Sequence, residues 1–329
     1  MTASAADRLR RNSISKSVFA ADSSYCSAMG RTNQPQVHLI VTCAKRKRHP
    51  PIPRLHVRDL PARGNLASAW AKRVSAATAV AAAMDLYLGE SWCIAREAAR
   101  ESRGVRLWVM SAGLGVVSAE AVVPSYAATF ASNEADAVPG DPAVWWGEMT
   151  LRLPTDPLRP RSLRRLSRRP GRFLLAVSRS YLAAVAEDLA AVTSPDRWTI
   201  ISAGGGDLVP FNLRERLVPT DGSLRSSVGG TANAINVRLA DRILATLPVD
   251  GCLHCHAFRV VEELREEAFH TSVRPQGRRL TDSEVAAFAR NNAIGISSSL
   301  RLLRDGGLSC EQSRFARIYR EVHLREARQ

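Results

Sequence analysis

The chain predicts an α/β protein: a mostly parallel sheet flanked by helices, followed by a small helical appendage. Three observations carry this. Short apolar runs that end in Gly, Ser or charged residues recur along the chain, starting with VHLIVTCAKRKRHP at Val37–Pro50 and LWVMSAGLGVV at Leu107–Val117. Longer Ala- and Leu-rich tracts with helical character stand between them, the alternation expected of βαβ units. The last fifty or so residues lack strand-like runs and open on a helix-capping pattern.

Residues 1–36 are polar and rich in Ser and Arg, without apolar periodicity, and read as a disordered N-terminal extension. Met29, just before the first apolar run, is an alternative start. Val37–Cys43 reads as a buried parallel strand, followed by a Pro-rich basic loop to about Asn65. Leu66–Ser102 reads as a helical tract divided at Gly89, and Arg106–Ser111 as the second strand. Ser118–Phe130 is expected to be a loop.

The stretch from Leu151 to Arg172 changes character, with arginines at 152, 159, 161, 164, 165, 168, 169 and 172 interrupted by four prolines. Phe173–Val177 is the third predicted strand, a helix spans about Ser180–Val192, and Trp198–Ala203 is the fourth strand. The strand ends echo one another: VTCAKRK with AVSRSY, and WVMSAGLG with TIISAGGG. Thr231–Leu247 reads as a helix with Ile235, Leu239, Ile243 and Leu247 on one face. Gly251–Phe258 alternates like a fifth strand, and Glu262–Phe269 is helical. The domain reading is thus 37–265 for the α/β part and 266–329 for a linker and helices. In the latter, Thr281 or Asp282 with Glu284 forms a capping box, and a helix to Arg304, a Gly306-Gly307 turn and a second helix from Cys310 resemble a helix-turn-helix.

Composition narrows the function classes. The formal net charge is 46 − 31 = +15, which favours anionic partners. Ala- and Arg-rich usage is also what a GC-rich genome produces, so charge alone does not choose between the two. No apolar run is long enough to cross a bilayer, and no signal-like segment opens the chain. Six irregularly spaced cysteines read as thiols of a cytoplasmic protein, not a disulfide frame.

In open parallel sheets, ligands bind at the carboxyl ends of the strands. That rule selects the site candidates. Cys43 is a nucleophile if neighbouring cations favour its thiolate, or else a small buried hydrophobe. Lys45 and Lys47 offer phosphate contacts or an amine base, with Thr42 beside them. SAGLG lacks the P-loop ending. Gly113 and Gly115 would let a ligand approach the backbone, with Ser111 hydrogen-bonding it, or the segment is simply a βα turn. Tyr126 would stack on a base, or anchor its loop. Asp207, after three glycines, is the general acid/base choice, with Asn212 downstream. Gly229-Gly230 before a helix offers an anion seat, with Thr231 as N-cap. Arg161, Arg164, Arg165, Arg168 and Arg169, with Arg314 and Arg317 in the tail, are the nucleic-acid contacts. CLHCH at Cys252–His256 lacks a second ligand pair, so no metal is assigned, nor any cofactor.

VTCAKRK, DLYLGESW (Asp85–Trp92), SAGLGVV and PSYAATF, in that order, resemble a family of bacterial domains around the peroxide-stress protein YaaA, distantly similar to a domain of archaeosine synthase. Thr42, Cys43, Lys45 or Lys47, Leu86, Tyr87, Ser111, Ala112, Gly115 and Tyr126 fall on the pattern. The chain departs from it at Gly113-Leu114-Gly115-Val116, where relatives carry an aromatic residue and a following Leu. The resemblance covers about 37–130, with looser similarity to about 245. It implies an α/β domain that handles nucleic acids, nucleotides or modified bases in a stress or phage-defence setting. Base transfer or glycosidic-bond chemistry is the enzymatic expectation. A non-catalytic DNA- or RNA-binding protein, or a nucleotide-sensing regulatory subunit, is the alternative.

Overall fold

A computed structural model describes residues 37–271 and 278–326; the predicted disordered extension and most of the predicted linker lie outside them. The chain divides into two compact units between Ala268 and Phe269.

The first unit is α/β. Its elements are β1 (Val37–Thr42), α1 (Leu66–Ala76), β2 (Ala81–Ala82), α2 (Ala83–Leu86), α3 (Glu90–Glu101), β3 (Val105–Ser111), β4 (Gly115–Ser118), β5 (Val122–Val123) and α4 (Pro142–Arg152). There follow α5 (Leu163–Leu166), β6 (Arg172–Ala176), α6 (Arg179–Ala190), β7 (Trp198–Ile201), β8 (Leu217–Val218), α7 (Arg225–Val228), α8 (Ile235–Ala245) and α9 (Leu253–Thr271). The main sheet has the order β4-β3-β1-β6-β7-β8, all parallel except β4, which is antiparallel to β3. β2 and β5 form a separate two-stranded ladder.

Among the parallel strands this is a doubly wound order. The chain goes from β1 outward to β3, then returns across β1 to β6 and on to β7 and β8. Parallel crossovers are right-handed, so reversing direction moves the connecting helices to the other face of the sheet. The packing follows: α3 lies against α8, while α1, α4 and α6 form a second group. The strands are covered on both sides and are accordingly near-continuous apolar runs: Leu39, Ile40, Val41, Leu107–Met110, Phe173–Ala176 and Ile200–Ile201 are all buried. The direction of winding reverses between β1 and β6, so the crevice expected to take a ligand lies at their carboxyl ends.

Three predicted elements differ. The helical tract is broken after Ala76, where the chain passes through β2 and the single turn of α2 before α3. SAGLG is the turn of the β3–β4 hairpin, not a βα turn: Ser111 pairs with Gly115. The predicted fifth strand at Gly251–Phe258 is the start of α9. Its alternation over a few residues yields to a longer helical period, with Leu253, Ala257, Val260, Val261, Leu264 and Ala268 buried along one side. The sheet's last strand is instead the short β8.

The second unit holds β9 (Arg278–Arg279), α10 (Asp282–Asn291), α11 (Ile296–Asp305), β10 (Leu308–Ser309) and α12 (Gln312–Glu326) around its own core of Leu280, Val285, Leu300, Leu303, Phe315 and Ile318. The capping box forms on Thr281: its side chain accepts from the Glu284 amide, and the Glu284 carboxylate accepts from the Thr281 amide.

Candidate functional site at the β1 and β6 strand ends

The basic loop leaving β1 is held by backbone pairing to DLYLG. The Arg48 amide donates to the Leu86 carbonyl at 2.8 Å and the Leu88 amide to the Arg46 carbonyl at 3.0 Å, with Lys47 opposite Tyr87. Extended pairing sends successive side chains to opposite sides. Arg46 and Arg48 are therefore exposed, and Lys47 turns inward. Its ammonium sits 4.4 Å from the centre of the Tyr126 ring and 5.6 Å from that of Tyr87. Burial pulls the Lys47 amine below its usual range, while an ionised Cys43 and Asp136 act against that shift. Lys45 lies at a bend before the paired segment, outside this alternation; it is exposed and pairs with Glu134 at 2.6 Å. Of the two lysines, Lys47 belongs to the site.

Cys43 follows the last residue of β1, Thr42, whose partner across the ladder is Met110. The Cys43 amide donates to the Met110 carbonyl at 2.9 Å, which fixes the half-buried side chain at the switch point. There its sulfur lies 3.1 Å from the hydroxyl of Tyr181, on the first turn of α6 beyond β6. The echo between VTCAKRK and AVSRSY thus has a spatial meaning: the two adjacent strand ends place a thiol and a phenol face to face.

Behind these groups runs a buried hydroxyl chain. Ser111 Oγ accepts the amides of Gly113 and Leu114, both at 3.1 Å. Its own proton is thereby directed to the Tyr126 hydroxyl, which bonds it, and Tyr126 then donates to Tyr87 at 2.7 Å. Burial raises the phenols of Tyr87, Tyr126 and Tyr181, and the nearby Cys43 as thiolate raises them further. All three therefore stay protonated at neutral pH. The Trp70 indole donates to the Gly113 carbonyl and the Trp145 indole to the Ala112 carbonyl, each at 2.8 Å, which pins the hairpin turn behind the tyrosines.

Several predicted site residues have other tasks. Tyr126 is fully buried, with one face under Lys47, so it anchors its loop and offers no stacking face for a base. Gly113 leaves room for the Tyr126 ring, 2.6 Å from where a Cβ would stand. Gly115, at φ +70°, sits against the Arg161 backbone. Both glycines serve close approach of the chain to itself. Arg161 is buried and donates to the Pro154 carbonyl at 2.8 Å and the Leu114 carbonyl at 2.9 Å, so it clamps the hairpin and does not face a nucleic acid. Arg169 donates to the Pro157 carbonyl and lies 5.0 Å over Trp108.

Asp207 is exposed and held by Arg179, whose guanidinium keeps the carboxyl below its ordinary range. A carboxylate so paired and solvated is a poor general base, and its bonds to Arg179 tie it to the start of α6, not to Cys43. Asn212 caps the end of α6 through the Ala190 carbonyl at 3.1 Å. The anion seat at Gly229-Gly230 is taken by the protein's own Glu90, whose carboxylate accepts from Thr231 at 2.9 Å and from Arg238 at 2.7 Å. Arg314 and Arg317 pair with Asp282, at 2.7 Å for the Arg314 Nε and 3.4 Å for Arg317, and Arg317 also with Glu321 at 3.1 Å. In CLHCH, His256 bonds Thr246 at 3.0 Å and Arg259 at 2.9 Å. Among the described residues no group of three or more His, Cys, Asp or Glu is placed to hold a metal ion.

The site therefore consists of Cys43 and Lys47 in front, half-buried, with Tyr181, Tyr87, Tyr126 and Ser111 behind. It joins a thiol, a partly desolvated amine and a set of buried phenols. Of these, Tyr181 is not among the residues the sequence singles out; the AVSRSY echo is its only signal. No protein-family model, no curated protein and no solved structure matches the chain.

Proposed function

We propose that the chain is an enzyme acting on the bases of nucleotides or nucleic acids, by base transfer or glycosidic cleavage, at the crevice between β1 and β6. The observation that carries this reading is the Cys43 thiol at the switch point, 3.1 Å from the Tyr181 hydroxyl and close to the desolvated Lys47 amine. The resemblance of VTCAKRK, DLYLG, SAGLG and PSYAATF to YaaA-like domains supports the substrate class, because its motifs are the segments that build this cluster. In this reading Lys47 takes the thiol proton. The Cys43 sulfur bonds the anomeric carbon as the glycosidic C–N bond breaks, and Lys47 returns the proton to the departing base nitrogen. Water or an incoming base then displaces the sulfur, which regenerates the thiol.

The test is incubation with DNA, RNA and free nucleotides, followed by mass spectrometry of the nucleosides and released bases. A changed or released base is expected with the natural chain. It should be lost in Cys43→Ser and Lys47→Met, and retained in Lys45→Gln and Asp207→Asn. Tight nucleic-acid binding with no altered base would favour the non-catalytic binding protein or the nucleotide-sensing subunit instead, with the C-terminal helices as a second contact.

A further inference from the structure

Of the eight arginines between 151 and 172, six are committed within the protein. Arg152 pairs with Glu148 and Arg159 with Asp156; Arg161, Arg165, Arg169 and Arg172 donate to the carbonyls of Leu114, Thr150, Pro157 and Gly251. The guanidinium groups of Arg164 and Arg168 have no side-chain partner among the described residues. Both line one cleft of about 340 Å³ between α4 and α5, together with Arg165, Thr150, Gly147 and Asp188. Three cations and one carboxylate leave a local excess of two positive charges. The carboxylate oxygens are also taken up by the protein: Asp188 accepts the amides of Leu163 at 2.7 Å and Arg164 at 3.0 Å and the Trp146 indole at 3.0 Å. Those bonds hold the α5 turn in place, and with it the two arginines that flank the cleft. Gly147 keeps the α4 wall free of a side chain.

We propose that this cleft is a phosphate-oxyanion site, read by Arg164 and Arg168 with Arg165 as its inner wall. Guanidinium forks match the paired oxygens of a phosphate, and several in one concavity favour a phosphodiester or pyrophosphate over a lone carboxylate. The site is separate from Cys43. Tyr181 and Asp188 stand seven residues apart on α6, about 10 Å of helix rise, and buried Phe130 and Trp146 lie between them. The inference is independent of any chemistry at the thiol.

The test compares the natural full-length chain with Arg164→Gln/Arg168→Gln and with the control Arg63→Gln/Arg214→Gln, which removes the same charge elsewhere. Pyrophosphate binding is measured by calorimetry and a fluorescent single-stranded oligonucleotide by anisotropy across a salt series, after thermal melts verify folding. The cleft variant should bind about tenfold more weakly, and its oligonucleotide salt slope should fall by about 0.7 for each phosphate that is no longer neutralised. A response with pyrophosphate alone assigns a free phosphoanhydride; a response with the oligonucleotide assigns a nucleic-acid backbone. Unchanged binding of both probes, equal weakening in the control, or no binding of either probe by the natural chain would overturn the proposal.

Discussion

His38 occupies a place inside β1 where an aliphatic side chain would be ordinary. Trp108 donates its indole N–H to Nδ1 at 2.9 Å, and Nε2–H donates to the Pro170 carbonyl at 2.9 Å, so the neutral tautomer is fully bonded. Phe173 stacks on the ring at 4.9 Å, and Arg106, Arg169 and Arg197 surround it with positive charge. Burial, helped by those cations, lowers its pKa from 6.5 to about 4. The folded value lies below the unfolded one, so the unfolded chain protonates first. The stabilisation is full above the unfolded pKa and is lost as pH falls from there toward the folded value, by about 3 kcal/mol in total. Urea unfolding between pH 7 and pH 4.5 should show this loss, and His38→Gln should flatten it; parallel curves for the two proteins would refute the assignment. At the site itself, Lys47→Met removes the amine proposed to take the Cys43 proton, so alkylation of Cys43 at neutral pH, followed by peptide mass spectrometry, should slow several-fold. Lys45→Gln should leave the rate unchanged.

The β3–β4 hairpin is the element on which the site rests. Gly115 combines φ +70° with contact to the Arg161 backbone, so Gly115→Ala meets both strain and overlap with main chain that cannot rotate away. A loss of about 2–4 kcal/mol is expected in denaturant unfolding. Gly113→Ala presses instead on the Tyr126 ring and should disturb the hydroxyl chain, which shows as a faster Cys43 alkylation or an altered tyrosine absorbance. Much of this element could be anticipated from LWVMSAGLGVV: a buried strand and a glycine turn. Its hairpin nature could not, because a βα turn and a tight β-turn share the same small residues, and the antiparallel return depends on Arg161 pairing with Val116 from 45 residues away. The same limit explains the choice between Lys45 and Lys47. Both look equivalent in TCAKRK, and only the ladder with Tyr87 decides which faces inward. CLHCH misleads for a related reason: a few alternating residues cannot outweigh a helical period that continues to Ala268. The cations of 152–172 were legible as a cluster, but not which of them the fold consumes.

At the scale of the molecule, the two hydrophobic cores are separate. One runs from Val37 to Leu264 and the other from Leu280 to Val322. Each unit therefore has its own hydrophobic source of cooperativity. Phe315 is fully buried in the smaller core, beside Tyr319 at 6.0 Å between ring centres. Truncating a buried Phe to Ala costs about 3–5 kcal/mol, a large fraction of what so small a unit can hold. Phe315→Ala in the full-length chain should abolish or strongly lower the melting transition of the smaller unit in calorimetry. The transition of the α/β unit, and the alkylation rate of Cys43, should stay where they are. A single transition that shifts as a whole, with Cys43 reactivity changing in step, would mean that the units fold as one body and that the strand-end site depends on the C-terminal helices.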